Sequence, residues 1–422
     1  MIEAAKMAIS RRKFIKMAGI AATGMVIGNF EDVVIPPKIA EASEKMKYKI
    51  GFGMMRLPLQ ENGSGEVKFE ESCKMVDEYL RQGGKYFDTS YVYQGGKNEN
   101  TVKKVLVNRH NREEFELATK LPSFFMDSKE KINKTFEEQL NNLGVDYLDN
   151  YLIHSIYSTT YDRIIEKYGI FEFGQEMKRQ GKIKKFGFSY HDTPEILDRI
   201  LTEHPETDFV QLVINYYDWE SPFIQSRRCY EVARNHGVEV FVMEPVKGGL
   251  LANLPTEIHK KLQRINTQMS DSSYGFRFAA GLEGVTTILS GMSSMSQVQD
   301  NINLSKNFKP LSEIEKNLLF EAVKLYKLEG PLKRNDFRIY EDICENKMPV
   351  AAILDAYNSI MVQKNRGCNV QAENGYYRGL QFLAGRETGK TWIEGKIIDK
   401  EGNDITELVR KAENYLIENT FL

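Results

Sequence analysis

The sequence predicts an α/β chain: a closed (β/α)8 barrel followed by a mainly helical C-terminal extension. Three observations predict it. From Tyr48 onward, short β-branched or apolar runs alternate eight times with amphipathic helical stretches, over about 250 residues, the size of such a barrel. Several of the runs end in a polar or ionisable residue, and chemistry on this architecture sits at the C-terminal ends of the strands. The competing architecture, an open doubly wound sheet, wants a GxGxxG turn after its first strand. Gly51-Phe52-Gly53 followed by Met54-Met55-Arg56 does not continue that pattern.

Composition fits this class. Of 422 residues, 41% are hydrophobic and 27% charged, as expected for a globular chain with a large core. A formal net charge of −2 gives no support for a nucleic-acid or acidic-membrane partner. The cysteines, Cys73, Cys229, Cys344 and Cys368, are widely separated and show neither a disulfide framework nor zinc spacing. No run approaches the roughly 20 apolar residues of a membrane span.

The amino terminus reads as an address. Ser10-Arg11-Arg12-Lys13-Phe14-Ile15-Lys16 precedes a modest apolar run from Met17 to Ile27 and resembles a twin-arginine export signal. Ala40-Glu41-Ala42 offers a small-x-small cleavage site. Residues 1–42 are therefore expected to be signal and linker, handled by the twin-arginine export machinery, with no stable membrane span once removed. The expected location is extracytoplasmic; the alternative, an amphipathic helix with basic residues at its start, leaves the chain in the cytoplasm.

The barrel is expected over residues 48–306. Predicted strands are Ile50–Met54, Lys85–Thr89, Phe115–Lys120, Tyr147–His154, Lys185–Ser189, Phe209–Asn215, Val238–Glu244 and Val285–Ser290. Predicted helices are Phe69–Arg81, Asn98–Val107, Lys129–Asn141, Tyr161–Arg179, Thr193–Leu201, Phe223–Asn235, Ser273–Ala280 and Gln297–Leu304. The second strand ends in Phe87-Asp88-Thr89-Ser90-Tyr91-Val92-Tyr93, a carboxylate at the tip and a phenol in the following loop. A phenol, with a free pKa of roughly 10, becomes useful at neutral pH only beside a cation. Lys120, at the end of the third strand, is costly to bury without a partner. Asp88 is the obvious one, and the ammonium would then face Tyr93. His154 ends the fourth strand.

Phe87-Asp88-Thr89-Ser90 with Tyr93, Ala118-Thr119-Lys120, and Leu152-Ile153-His154 together resemble the aldo/keto reductase tetrad in order and spacing. Glu99 also fits that family's loop pattern. The resemblance runs from about Tyr48 to Leu304. It implies NAD(P)H-dependent reduction of a small-molecule aldehyde or ketone: Tyr93 as general acid, Lys120 favouring its phenolate, Asp88 anchoring Lys120, and His154 orienting the carbonyl oxygen.

Later tips agree with it. Gly187-Phe188-Ser189 resembles the strand whose serine touches the nicotinamide carboxamide, Gln211 is similar to the glutamine that shares that job, and Asn215 follows on the same face. Tyr190 stands where the family often has Asn, and Met243, before Glu244-Pro245, where an aromatic usually stacks on the nicotinamide. A thioether can still contact a ring face; otherwise Met243 is core filler. Ser290-Gly291-Met292-Ser293-Ser294 leads into a helix whose start suits a phosphate, and Gln297 and Asn301 match family cofactor positions. Serines occupy 293 and 294, where many members carry Lys or Arg for the 2′-phosphate, so both NADP and NAD stay open, with NADP favoured. Lys247-Gly248-Gly249-Leu250 is placed to close over the pyrophosphate.

Residues 307–422 form the extension. A helix is predicted from Leu311 to Leu328, another from Ala351 to Met361, and a terminal one at Ile405–Glu418. Within 330–361, positions 334, 337, 340 and 344 keep the C-x2-C-x2-C spacing and following x3-C of the ferredoxin-like tail on one branch of the family. Only Cys344 is still a cysteine; Arg334, Phe337 and Tyr340 replace the other ligands and Glu345 the proline. One thiolate cannot hold a cluster that needs four, so a relic tail with no iron–sulfur cluster or other metal is expected, its aromatics filling the vacated space. Trp392 and Tyr376-Tyr377 would pack this tail against the barrel or across its mouth. Two other readings stay open. A barrel hydrolase or lyase would use Asp88 and Glu244, and leaves Tyr93, Lys120 and His154 unexplained. An exported nucleotide- or ligand-binding barrel without turnover, or a redox-partner protein, answers the expected scarcity of reduced nicotinamide outside the cytoplasm.

Overall fold

Eight parallel strands close on themselves in sequence order: β1 Ile50–Gly53, β2 Tyr86–Asp88, β3 Glu116–Leu121, β4 Leu148–Ile156, β5 Ile183–Tyr190, β6 Phe209–Val213, β7 Glu239–Met243 and β8 Val285–Ser290. The pairing of β1 with β8, Phe52 opposite Ser290, closes the ring. This computed structural model describes residues 50–370 and 373–419. The twin-arginine segment and the small-x-small site at Ala40-Glu41-Ala42 lie outside them.

The barrel interior is built from side chains two residues apart, because successive side chains of a strand point to opposite faces. Tyr86, Ala118, Leu152, Phe209, Phe241 and Leu289 pack together as one apolar cluster drawn from six strands. Two residues further along each of these strands come Asp88, Lys120, His154, Gln211, Met243 and Gly291. Gly187 and Ser189 hold the corresponding places on β5. Gly187 is required by close approach: a Cβ there would lie 2.1 Å from the Phe209 carbonyl oxygen on β6. The same periodicity that fills the barrel with apolar side chains thus aims a polar set at its C-terminal end.

The outer helices follow the expected alternation, with three differences. The predicted helix over 161–179 is two: a wide turn at Tyr161–Glu166, then Ile170–Arg179, separated by Gly169 in a left-handed conformation (φ +65°). Between β7 and β8 an additional helix, Thr256–Ile265, precedes Asp271–Ala280. In the extension, Glu373–Leu383 is a helix that the apolar periodicity did not single out. None of the described helices is long and apolar enough to cross a membrane.

The extension begins with Glu313–Glu329, whose N-terminus is closed by a Ser312/Glu315 capping box. Its bidentate ion pair from Arg277 to Glu315, 2.7 and 3.0 Å, ties it to the barrel's helical layer. A second apolar core then forms around Val350–Asn365, a helix with every side chain from Val350 to Ile360 buried. A helix buried on all sides must be enclosed by other elements, its buried Asp355 paired with Lys327. It is enclosed by Glu373–Leu383, Thr406–Glu418 and Trp392, and by Val213, Phe223 and Ile224 of the barrel, with Met243 packed at the edge. Phe337 and Tyr340, at two of the four positions with ferredoxin-like spacing, are buried in this core, and Cys344 is exposed on a short hairpin of β9 Cys344–Glu345 and β10 Met348–Pro349. Among the described residues no cluster of three or more His, Cys, Asp or Glu side chains could hold a metal.

Candidate active site

Strands β2, β3 and β4 bring the four tip residues together. Lys120 is fully buried and donates to Asp88 Oδ1 at 2.5 Å and to the Thr89 carbonyl at 2.7 Å. Its ammonium also lies 4.8 Å from the centre of the Tyr93 ring. The Tyr93 ring meets the His154 imidazole edge to face, with centroids 5.8 Å apart. The spacing in the sequence predicted this convergence, and the barrel supplies it.

The electrostatics follow from burial. Burial opposes the charge on Lys120, but Asp88 and Tyr93 outweigh it and hold the ammonium above its ordinary value. Burial also pushes the Tyr93 phenol up, while Lys120 pulls it back toward the phenolate. The expected lowering by Lys120 is present but does not win: the phenol stays protonated at neutral pH, which is the form a proton donor needs. Burial, then the field of Lys120, holds His154 well below its usual range. The imidazole is therefore neutral. Its Nδ1 lies 3.0 Å from the Ser90 hydroxyl, so with Ser90 donating, the ring hydrogen is assigned to Nε2. Ser90 lay inside the sequence motif without a role; this contact is the role. Glu99 is buried beneath the rim, accepting from Thr119 (2.7 Å) and Gln139 (2.8 Å), and so steadies the strand that carries Lys120.

The candidate cofactor residues line β5 to β8 and the loops beyond. The Ser189 hydroxyl accepts from the Ser155 amide at 2.8 Å. Gln211 donates to the Met243 sulfur at 3.5 Å, and its carboxamide oxygen is buried with no partner. Such an orphan acceptor fits the amide hydrogens of a nicotinamide carboxamide, and Met243 lies beside it. Tyr190 points away from this face into the core, donating to the Thr193 carbonyl at 2.5 Å. Asn215 is engaged within the protein, donating to Asp218 and to the Glu244 carbonyl and accepting from the Asp218 amide. Ser290 accepts from Asn301 at 2.7 Å, and Gly291 lies against the Arg56 stem, where a Cβ would come within 2.7 Å. Ser294 caps the helix Met295–Lys306, and the Gln297 side chain folds back onto the Ser293 amide.

The Lys247 side chain turns inward from the loop after β7. It is buried and pairs with Asp218 at 2.8 and 3.0 Å. The loop Lys247–Ala252, with Pro245 before it and Gly249 and Leu250 within it, is held instead by the extension. The Asn369 amide donates to the Gly248 carbonyl at 3.2 Å, and Tyr326 and Arg366 donate to the Leu250 and Asn253 carbonyls. The sequence could not show this, because the partners lie more than 70 residues away.

Comparison with known proteins agrees with this geometry. The sequence model of the aldo/keto reductase family matches residues 49–322. The chain belongs to that family. L-galactose dehydrogenase of Arabidopsis thaliana is 26% identical over 309 residues, covering 65% of this chain and 91% of the relative. An uncharacterised oxidoreductase of Bacillus subtilis is 24% identical over 298 residues, covering 63% and 90%. Among solved structures, a holo-form aldo-keto reductase from Bacillus halodurans is 25% identical with a TM-score of 0.50, covering 65% of this chain and 91% of that one. An aldo-keto reductase from Klebsiella pneumoniae in complex with NADPH shares the fold at 18% identity and a TM-score of 0.52, covering 65% and 90%. The aldo/keto reductase match ends near residue 322, so most of the extension lies beyond it.

Proposed function

We propose that this aldo/keto reductase reduces an aldehyde or ketone to an alcohol at the rim of β2, β3 and β4, using NADPH. The observation that carries the reading is the convergence of a protonated phenol, a buried ammonium and a neutral imidazole on one point. The nicotinamide, when bound, supplies a hydride to the carbonyl carbon. As negative charge grows on the carbonyl oxygen, Tyr93 gives it a proton. Lys120 stabilises the phenolate left behind, and Asp88 fixes Lys120. His154, neutral and with its hydrogen on Nε2, donates a hydrogen bond to the same oxygen and orients it. Gln211 and Ser189 would hold the carboxamide, Met243 would lie beside the ring, and Ser290, Gly291, Ser294, Gln297 and Asn301 would border the phosphates. NADP is favoured over NAD because structural relatives hold NADPH or NADP.

Two further parts of the reading rest on sequence. The Arg11-Arg12 segment supports export in a folded state through the twin-arginine route, and the ligand spacing at 334, 337, 340 and 344 supports a relic ferredoxin-like tail.

Tyr93→Phe tests the chemistry. It is expected to lower kcat by roughly 10²–10⁴-fold while NADPH binding, followed by quenching of protein fluorescence, stays near that of the parent. Near-normal reduction by this variant would end the assignment of Tyr93.

A further inference from the structure

The structure decides where the tail's aromatic pair goes. Tyr377 stays within the tail, with the Trp392 indole donating to its hydroxyl at 3.2 Å. Tyr376 turns the other way. It is 5% exposed, and its ring lies 5.8 Å from His191 and 5.6 Å from Phe223, both on loops at the barrel mouth. The helix Glu373–Leu383 that carries it sits tight on the loop after β5: a Cβ at Gly379 would come within 2.7 Å of Asp192 Oδ2. That same oxygen is held by the Ser158 amide and hydroxyl of the loop after β4, each at 2.7 Å.

His191 follows directly after β5, which ends at Tyr190, two residues beyond Ser189. Its ring is flanked by Tyr157 at 5.8 Å and by Tyr376 at 5.8 Å. Its Nδ1 is buried and has no partner. Burial holds this imidazole down to about 4, so it is neutral at physiological pH. Across the mouth, His154 packs between Tyr93 and Phe124, at 5.8 and 5.9 Å. Two arcs of rings therefore border the place where a carbonyl would react. One carries the proton donor; the other carries an unsatisfied neutral hydrogen-bonding group. A buried polar atom without a partner costs stability unless something satisfies it, and here a ligand can.

Resting on the reductase reading above, we propose that His191 is a substrate-positioning residue and Tyr376 a substrate-contacting residue contributed by the C-terminal extension, together selecting an uncharged aromatic carbonyl compound that bears a phenolic hydroxyl. A flat aromatic body beside this imidazole would meet the rings of Tyr157 and Tyr376, since aromatic pairs favour such edge and offset contacts. The neutral imidazole pairs with a hydroxyl, whereas an anionic substituent would meet no countercharge from it. A site built to hydrogen-bond a hydroxyl discriminates strongly against the analogue that lacks one.

The test compares three aldehydes on the full chain with NADPH: 3-hydroxybenzaldehyde, benzaldehyde and cyclohexanecarbaldehyde. The parent is expected to prefer the hydroxylated ring over benzaldehyde by on the order of tenfold in kcat/KM. His191→Phe should erase that preference through KM rather than kcat; His191→Gln, which keeps a hydrogen-bonding group, should restore part of it. Tyr376→Leu should erase the preference for benzaldehyde over its saturated counterpart. Equal loss on all three substrates in His191→Phe with no rescue by His191→Gln would show a purely structural histidine and overturn the proposal, as would a parent with no preference among the three. Turnover of cyclohexanecarbaldehyde without preference defeats this inference alone. No turnover of any aldehyde by NADPH-bound parent defeats the reductase reading itself.

Discussion

Two regions of the barrel rim contain the same three groups and do different things with them. At β2 and β3, Asp88, Lys120 and Tyr93 form a buried carboxylate, ammonium and phenol, with the lysine 4.8 Å from the phenol ring. At the loops after β6 and β7, Asp218, Lys247 and Tyr217 repeat the set, with the lysine 5.0 Å from the ring. Both ion pairs are withdrawn from water. The difference lies in what is left over. Both Asp218 oxygens accept from Lys247, and Asn215 adds a further donor. Tyr217 is sealed under the extension, where a second buried lysine, Lys327, also approaches its ring and pairs with Asp355. Asp88 Oδ2, by contrast, is buried without a partner, and Tyr93 is only partly buried, facing His154 at the mouth. A buried ion pair is therefore not a site in itself. It becomes one when its lysine faces a phenol that is open to the barrel mouth.

The sharpest way to break this comparison is to remove each lysine. Lys120→Met and Lys247→Met each leave a buried carboxylate unpaired, and each is expected to cost about 3–5 kcal/mol in urea unfolding. Lys120→Met should in addition raise the apparent pKa of the proton donor in the pH–rate profile or stop turnover. An unchanged profile in its folded fraction would place the two pairs in one structural class.

A smaller effect is expected from the backbone that joins the regions. Gly248 has φ +61°, and a Cβ there would lie 2.0 Å from the Asn369 carbonyl oxygen. Gly248→Ala should therefore cost about 1–3 kcal/mol and expose the extension to limited proteolysis before the barrel. Cleavage patterns identical to the parent would show that this strap does not hold the extension.

Acid should weaken the catalytic side more gently. His191 titrates near 6.5 when unfolded and is held down to about 4 by burial, and His154 is shifted in the same direction. Between those values the unfolded chain takes up protons that the folded chain refuses. Stability is then complete above pH 6.5 and declines as pH falls toward 4, by up to about 1.4 kcal/mol per pH unit for each histidine. His191→Phe should flatten that decline, which urea midpoints measured at pH 7, 6 and 5 would show. The smallest effect belongs to Tyr217→Phe, expected to change stability by no more than about 1 kcal/mol and kcat by less than about twofold, against the loss expected for the same change at Tyr93.

How much of this was legible beforehand depends on distance along the chain. The strands of the barrel and most of its helices were readable from periodicity, which is a local property. The wide turn before Ile170 and the helix Thr256–Ile265 were not, because Gly169 and a polar, lysine-rich stretch blur the repeat. The converging strand tips could be read because a strand's period of two and a closed barrel leave one place for alternate residues to go. The engagement of Lys247 with Asp218 could not, since neither residue differs in type from a solvated neighbour.

By itself the sequence determined the closed barrel, the order of its tips and the pairing of Lys120 with Asp88, because alternation and the cost of burying a lone charge are properties of residue type and spacing. Only the tertiary structure decided that Lys247 is an anchor, that Asn369 straps the loop after β7, and that Tyr376 faces the mouth while Tyr377 faces the tail. Those outcomes depend on which surfaces meet once segments from about 30 to more than 100 residues apart have folded, and neighbouring tyrosines with the same chemistry are separated only by the direction in which a helix presents them.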